Sequence, residues 1–263
     1  RSSLLTISAS LSAREDGEET FRKAVSLYED LKAAGFSSTQ YLPYVAYFLA
    51  TEADGEAKDT IARAYEMYKI MKQNNYWLTS ADDHMMATLL AHSGVDPSAA
   101  SVEMKEIYEY LNEGGIRKGN VLQSMSHLLL ISNEPVYKKA YRLLSIRKGL
   151  KDADIKLDSY SQSMIAVLAL VKQEQEINKT IEQIRETSRF LESQKGFGNW
   201  SLGKGIRNML RNALVLSEDL DDIVKDSVHT TVQNSIQSIL LAQQAVMIGA
   251  VSAAAVSSSS GGN

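Results

Sequence analysis

Apolar positions along this 263-residue chain follow a helical spacing, and that spacing itself recurs about every forty residues. Phe21, Ala24, Val25, Tyr28 and Leu31 stand at i, i+3, i+4, i+7 and i+10, one stripe on a helix. Forty positions on, Ile61, Ala64, Tyr65, Tyr68 and Met71 repeat the register, and Met104, Tyr108 and Leu111 carry it once more. Tyr28, Tyr68 and Tyr108 are in step, as are Phe36, Tyr76 and Ile116, and Leu49, Leu89 and Leu129. Ala140, Tyr141 and Leu144 supply a fourth first-helix stripe, with Ile165, Leu168 and Leu170 behind it. Ile177, Ile181, Ile184 and Leu191 supply a fifth, followed by Ile206, Met209, Leu210 and Leu214.

Between the two helices of each repeat lies a turn signal: Ala34-Gly35-Phe36, Asn74-Asn75-Tyr76 and Gly114-Gly115-Ile116. Gly or Asn takes the positive φ that ends a helix, and the next apolar residue closes it. Ile155 and Phe197 continue the series of closing residues. Thr79 or Ser80 starts the second helix of its repeat, with Asp83 three residues beyond Ser80 as a capping box. Short linkers separate the repeats, at Ala53-Asp54-Gly55-Glu56, Gly94-Val95-Asp96-Pro97, Asn133-Glu134-Pro135 and Glu218-Asp219.

These features predict an all-α chain of tandem antiparallel helical hairpins, stacked as an α-solenoid-like or compact helical repeat domain. One hairpin cannot bury its apolar side alone, so neighbours must share a core. The expected layout is a single repeat domain over 1–256. Residues 1–16 form an incomplete N-terminal unit, 17–218 five hairpins, and 219–256 a terminal helical segment; 257–263 form a disordered Ser/Gly tail.

Composition narrows the chemistry. The chain has no cysteine, which removes thiolate nucleophiles, disulfides and Cys-ligated metals and fits a reducing, cytoplasmic setting. A net charge of −4 argues against a globally basic nucleic-acid binder. Residues 1–11 lack a secretory pattern. The apolar stretch 239–256 is interrupted by Gln243, Gln244, Gly249 and Ser252 and lacks flanking bases, so a buried helix is expected there rather than a membrane span.

The run Tyr76-Trp77-Leu78-Thr79-Ser80-Ala81-Asp82-Asp83-His84, then Leu89-Leu90-Ala91 and the Ala-rich C-terminal end, resembles an all-helical "domain of unknown function" family of Gram-positive bacteria. The resemblance covers most of the chain. It implies a bacterial cytoplasmic protein and brings no catalytic residues. The hairpins are also loosely similar to tetratricopeptide-like repeats, although the period is longer and the small-residue positions of that motif are missing.

Three constellations could carry chemistry. Asp82, Asp83 and His84, joined by His127 from the next repeat, would form a His₂-carboxylate metal set. His92 lies about 80° round the helix from His84 but two turns away, too far to share an ion unaided. Acids in a first helical turn and isolated interior histidines account for the same residues without a metal. Gly198 to Lys204 matches G-x-x-x-x-G-K, but Gly205 replaces the Mg²⁺-binding hydroxyl and no strand precedes it. No cofactor is expected, and no nucleophile–His–acid arrangement marks an enzyme.

Charge is the third. From Arg117 to Lys156 nine bases face only Glu134, Asp152 and Asp154, and Lys204, Arg207 and Arg211 follow. Arg117, Lys118, Arg142, Arg147, Lys148, Lys204, Arg207 and Arg211 are therefore the expected partner-binding set. The expected function is docking of a protein partner, with an acidic one suited to these cations. The alternatives are a metal-dependent enzyme using Asp83, His84 and His127, or a phosphate or nucleic-acid binder through the basic 117–211 segment. Aromatic interleaving is slight, so base stacking has little support.

Overall fold

The computed structural model describes residues 7–8, 10–52, 57–74, 77–157, 159–195, 208, 211 and 214–215. The expected helical segment 219–256, the 257–263 tail, the Gly198–Lys204 run and the turn residues Tyr76 and Phe197 lie outside them. Among the described residues the structure is helical throughout, without a strand. The helices are α1 (Gly17–Ala34), α2 (Leu42–Glu52), α3 (Ala57–Asn74), α4 (His84–His92), α5 (Pro97–Glu113), α6 (Asn120–Leu129), α7 (Val136–Asp152), α8 (Ser159–Val171) and α9 (Ile177–Ser193). Short 3₁₀ turns, Ala81–Asp83 and Glu174–Glu176, lead into α4 and α9. The chain divides into two compact units, with the division between Ser98 and Ala99 in the first turn of α5.

In the first unit α1 packs on α2 and α3 on α4, while α1 also meets α3 and α2 meets α4. First helices thus lie on first helices and second helices on second helices, as hairpin repeats require. The second unit repeats the scheme: α7 packs on α8, α7 on α9, and α6 on α8. Buried side chains stand at Ala24, Leu27 and Leu31 on α1, at Ile61, Ala64, Met67 and Met71 on α3, and at Met104, Ile107 and Leu111 on α5.

The expected stripes need a correction in register. Phe21 and Tyr141 are each 53 % exposed and Val25 is exposed too, so the buried faces of α1 and α7 turn away from them. On α7 the buried face runs through Val136, Lys139, Ala140, Arg142, Leu143, Ile146 and Leu150. The recurring Tyr28 and Tyr68 sit at the edge of their faces, each with a lysine four residues on over the ring: Lys32 at 5.5 Å and Lys72 at 5.9 Å.

The turns share one construction. Phe36 N–H donates to Leu31 O at 3.1 Å, Val95 to Leu90 at 3.1 Å, Ile116 to Leu111 at 3.1 Å and Ile155 to Leu150 at 2.9 Å. The residue before each has positive φ: Gly35 at 108°, Gly94 at 75°, Gly115 at 88° and Asp154 at 55°. This is the left-handed closure in which the sixth residue bonds back to the first. Asp154 stands where the other three positions hold glycine.

Glycine also sets the spacing between first helices. A Cβ on Gly35 would meet the Tyr65 ring at 2.6 Å; one on Gly114 would meet Leu144, and one on Gly149 would meet Ile181. In each case a first helix approaches its successor where no side chain intervenes. These are small-residue contacts that the repeat spacing alone does not reveal.

Candidate functional site

The metal reading is not assembled by the described residues. Among them no group of three His, Asp or Glu side chains comes together as a metal site needs. The Asp83 carboxylate accepts the Ser80 N–H at 2.9 Å, completing the capping box that the sequence predicts. His84 is fully buried, its ring edge-on to Phe36 (4.9 Å between centroids) and to Tyr68 (4.7 Å). His92 stands edge-on to Phe48 at 5.3 Å, and burial lowers its pKa. His84 and His92 belong to the first compact unit, His127 to the second. His127 is also fully buried; neither ring nitrogen finds a hydrogen-bond partner among the described residues, and burial pushes its pKa down to about 3. The side chain of Asp82 is outside the described set.

The eight expected partner-binding residues separate into groups with different tasks. Arg142 is only 1 % exposed. Its Nε donates to Ala169 O at 2.5 Å, and its other nitrogens pair with Glu134. Lys139, fully buried, pairs with Glu103 and donates to Ser132 O at 2.7 Å. Arg142 is therefore an internal strut of the second unit and offers no surface to a partner. Arg211 is buried too, donating to Ser188 Oγ at 3.3 Å and Asn208 Oδ1 at 3.2 Å. Lys148 is exposed but bridges to Asp152 at 2.7 Å. Lys204 and Arg207 lie outside the described residues.

Arg117, Lys118 and Arg147 remain, and they line one place. Two adjoining cavities of about 670 and 390 Å³ open on the second unit, both lined by Arg147 and Gln162. The larger is bounded by the α5–α6 turn (Gly115 to Gly119), by Asn120 and Val121 at the start of α6, and by Arg147. The smaller is bounded by the α7–α8 turn, including Lys151, Asp154, Ile155, Lys156 and Leu157. Successive hairpin turns thus place five cations around one groove, with Asp154 the one carboxylate among its described lining residues. Among the described residues none of the five has an ion-pair partner. The start of α6 is also uncapped: Gly119 (φ 145°) has no side chain to accept the first amides.

Lys151 and Lys156 complete the groove beside the residues the charge pattern singles out. Their signal was present in the sequence as part of the nine-base run, but only the turn geometry brings 151–156 alongside 117–118. No described helix is long and apolar enough to cross a membrane.

No solved structure matches the chain. It is similar to the "Uncharacterized protein YeaA" of Bacillus subtilis (strain 168), 26 % identical over 248 residues, which span 91 % of this chain and 72 % of that protein. The relative agrees with the expected Gram-positive helical family. The family model described as "Protein of unknown function (DUF4003)" matches residues 1–245, and the chain belongs to that family.

Proposed function

We propose that this chain is a non-catalytic, cytoplasmic docking module whose binding face is the basic groove of the second unit, and that its partner is an acidic segment of another protein. One observation carries the reading: Arg117, Lys118, Arg147, Lys151 and Lys156 line two adjoining cavities, and among the described residues none of them has an ion-pair partner. Cations that stabilise the fold are built differently here, as Arg142 and Lys139 illustrate. The step from hairpin repeats to docking is one of fold analogy. The lack of cysteine supports a reducing compartment. Among the described lining residues cations prevail and none is aromatic, which supports an acidic polypeptide as the partner.

The test is fluorescence anisotropy with a labelled Glu/Asp-rich peptide at several salt concentrations. Binding should weaken as salt rises, and Arg117→Glu with Arg147→Glu should abolish it, while Arg22→Glu on the first unit leaves it intact. Unchanged affinity in the double variant contradicts the proposal.

A further inference from the structure

The geometry points to a binding site for a small phosphorylated anion in this groove, its phosphoryl group seated in the larger cavity between Arg117, Lys118, Arg147 and the start of α6. The inference deepens the docking reading and rests on it, in that both require the groove to be a binding face. It adds a ligand class.

Size comes first. Cavities of about 670 and 390 Å³ lie in the range of small-molecule sites. The larger cavity takes a compact, highly charged group, and Arg147 stands at the junction with the smaller one, where Ile155 and Leu157 offer apolar surface to a carbon skeleton.

The chemistry of the two lobes then differs. Among the described residues the charged side chains lining the larger cavity are Arg117, Lys118 and Arg147, with no carboxylate. Two guanidinium groups are forks suited to paired oxygens, and a phosphoryl group offers three peripheral oxygens where a carboxylate offers two. The Gly115–Gly119 turn brings backbone to the cavity wall, and the uncapped first turn of α6 adds amide donors to the cation cluster. Asp154, the one carboxylate among the described lining residues, lies in the other lobe.

Isothermal titration of the full chain with inorganic pyrophosphate, and with citrate as a carboxylate of similar charge, separates phosphoryl recognition from simple charge attraction. Pyrophosphate should bind at least about tenfold tighter than citrate. Arg147→Gln should remove that preference, while Lys148→Gln, on a residue paired with Asp152, keeps it. Arg117→Gln, on an exposed turn, gives the same loss without touching a half-buried side chain. Equal affinities for the two anions, or no binding of pyrophosphate, overturn the inference. The acidic-peptide experiment is read independently, so docking can hold where phosphoryl preference fails.

Discussion

Arg142 on α7 reaches back to Glu134 in the linker before the helix and at the same time holds Ala169 O on α8, so one guanidinium ties a linker, a first helix and a second helix together. That arrangement holds Glu134 well below the ordinary carboxylate range, at about 2, mainly through the Arg142 hydrogen bond and with help from Lys138. The buried charge demands its partner, because an unpaired guanidinium inside the unit keeps its full desolvation penalty.

Arg142→Ala is therefore expected to destabilise the second unit by about 3 kcal/mol, since it removes three internal hydrogen bonds and leaves Glu134 with Lys138 as its remaining cation. Arg142→Lys keeps the charge and loses the fork, so its cost should fall between wild type and Arg142→Ala. Urea denaturation followed by circular dichroism measures both. A near-neutral Arg142→Ala would contradict the strut role.

Acid should weaken the second unit in two windows. His127 titrates near 6.5 when unfolded and at about 3 when buried, so the unfolded chain takes the proton first. Stability then falls as pH drops from 6.5 towards 3, at up to about 1.4 kcal/mol per pH unit. Glu134 acts lower: its contribution is full above about 4.5 and is lost as pH falls through about 2. His127→Met should make the upper window shallower, leaving the part that His92 contributes, and leave the lower one unchanged, as judged from denaturation midpoints across pH. An unchanged upper slope would show that another group causes it.

Two glycines of the same turn type should respond differently to alanine. Both Gly35 and Gly94 hold positive φ, which costs an L residue roughly 1–2 kcal/mol. Beside Gly94 there is open space, whereas a Cβ on Gly35 runs into the Tyr65 ring. Gly35→Ala should be the more damaging, and the difference should shrink in a Tyr65→Ala background. Equal costs in the wild-type background would mean that the α1–α3 approach is not set by this contact.

Asp154 occupies the left-handed position that Gly35, Gly94 and Gly115 hold elsewhere, and it also lines the smaller cavity. Asp154→Gly should relieve the backbone and strengthen acidic-peptide binding together, raising stability by up to about 1 kcal/mol. A stabilised variant with weakened peptide binding would separate the two roles and count against an anion-attracting groove.

The sequence made the hairpins legible because their turns repeat a backbone requirement. Gly35, Gly115 and the closing residues Phe36, Ile116 and Ile155 could be read from position alone. The faces of α1 and α7 were harder. Phe21, Val25 and Tyr141 are apolar yet exposed, while Lys139 and Arg142 are charged yet buried. A hydropathy stripe therefore places the α7 face one step off, although Lys139 falls in the middle of the Val136–Leu143–Ile146–Leu150 arc. The charge pattern singles out Arg117, Lys118 and Arg147, which line the cavities, together with Arg142, which is buried. Only long-range contact with Glu134 and Ala169 makes that distinction, and no local spacing encodes it.

The central claim is that an acidic partner docks on the groove formed by the α5–α6 and α7–α8 turns. Hydrogen–deuterium exchange of the full chain, with and without the Glu/Asp-rich peptide, locates the contact directly. The account predicts slowed exchange at residues 115–121 and 151–157, with the first unit unchanged. Protection confined to the first unit, or none at either turn under saturating peptide, would contradict it.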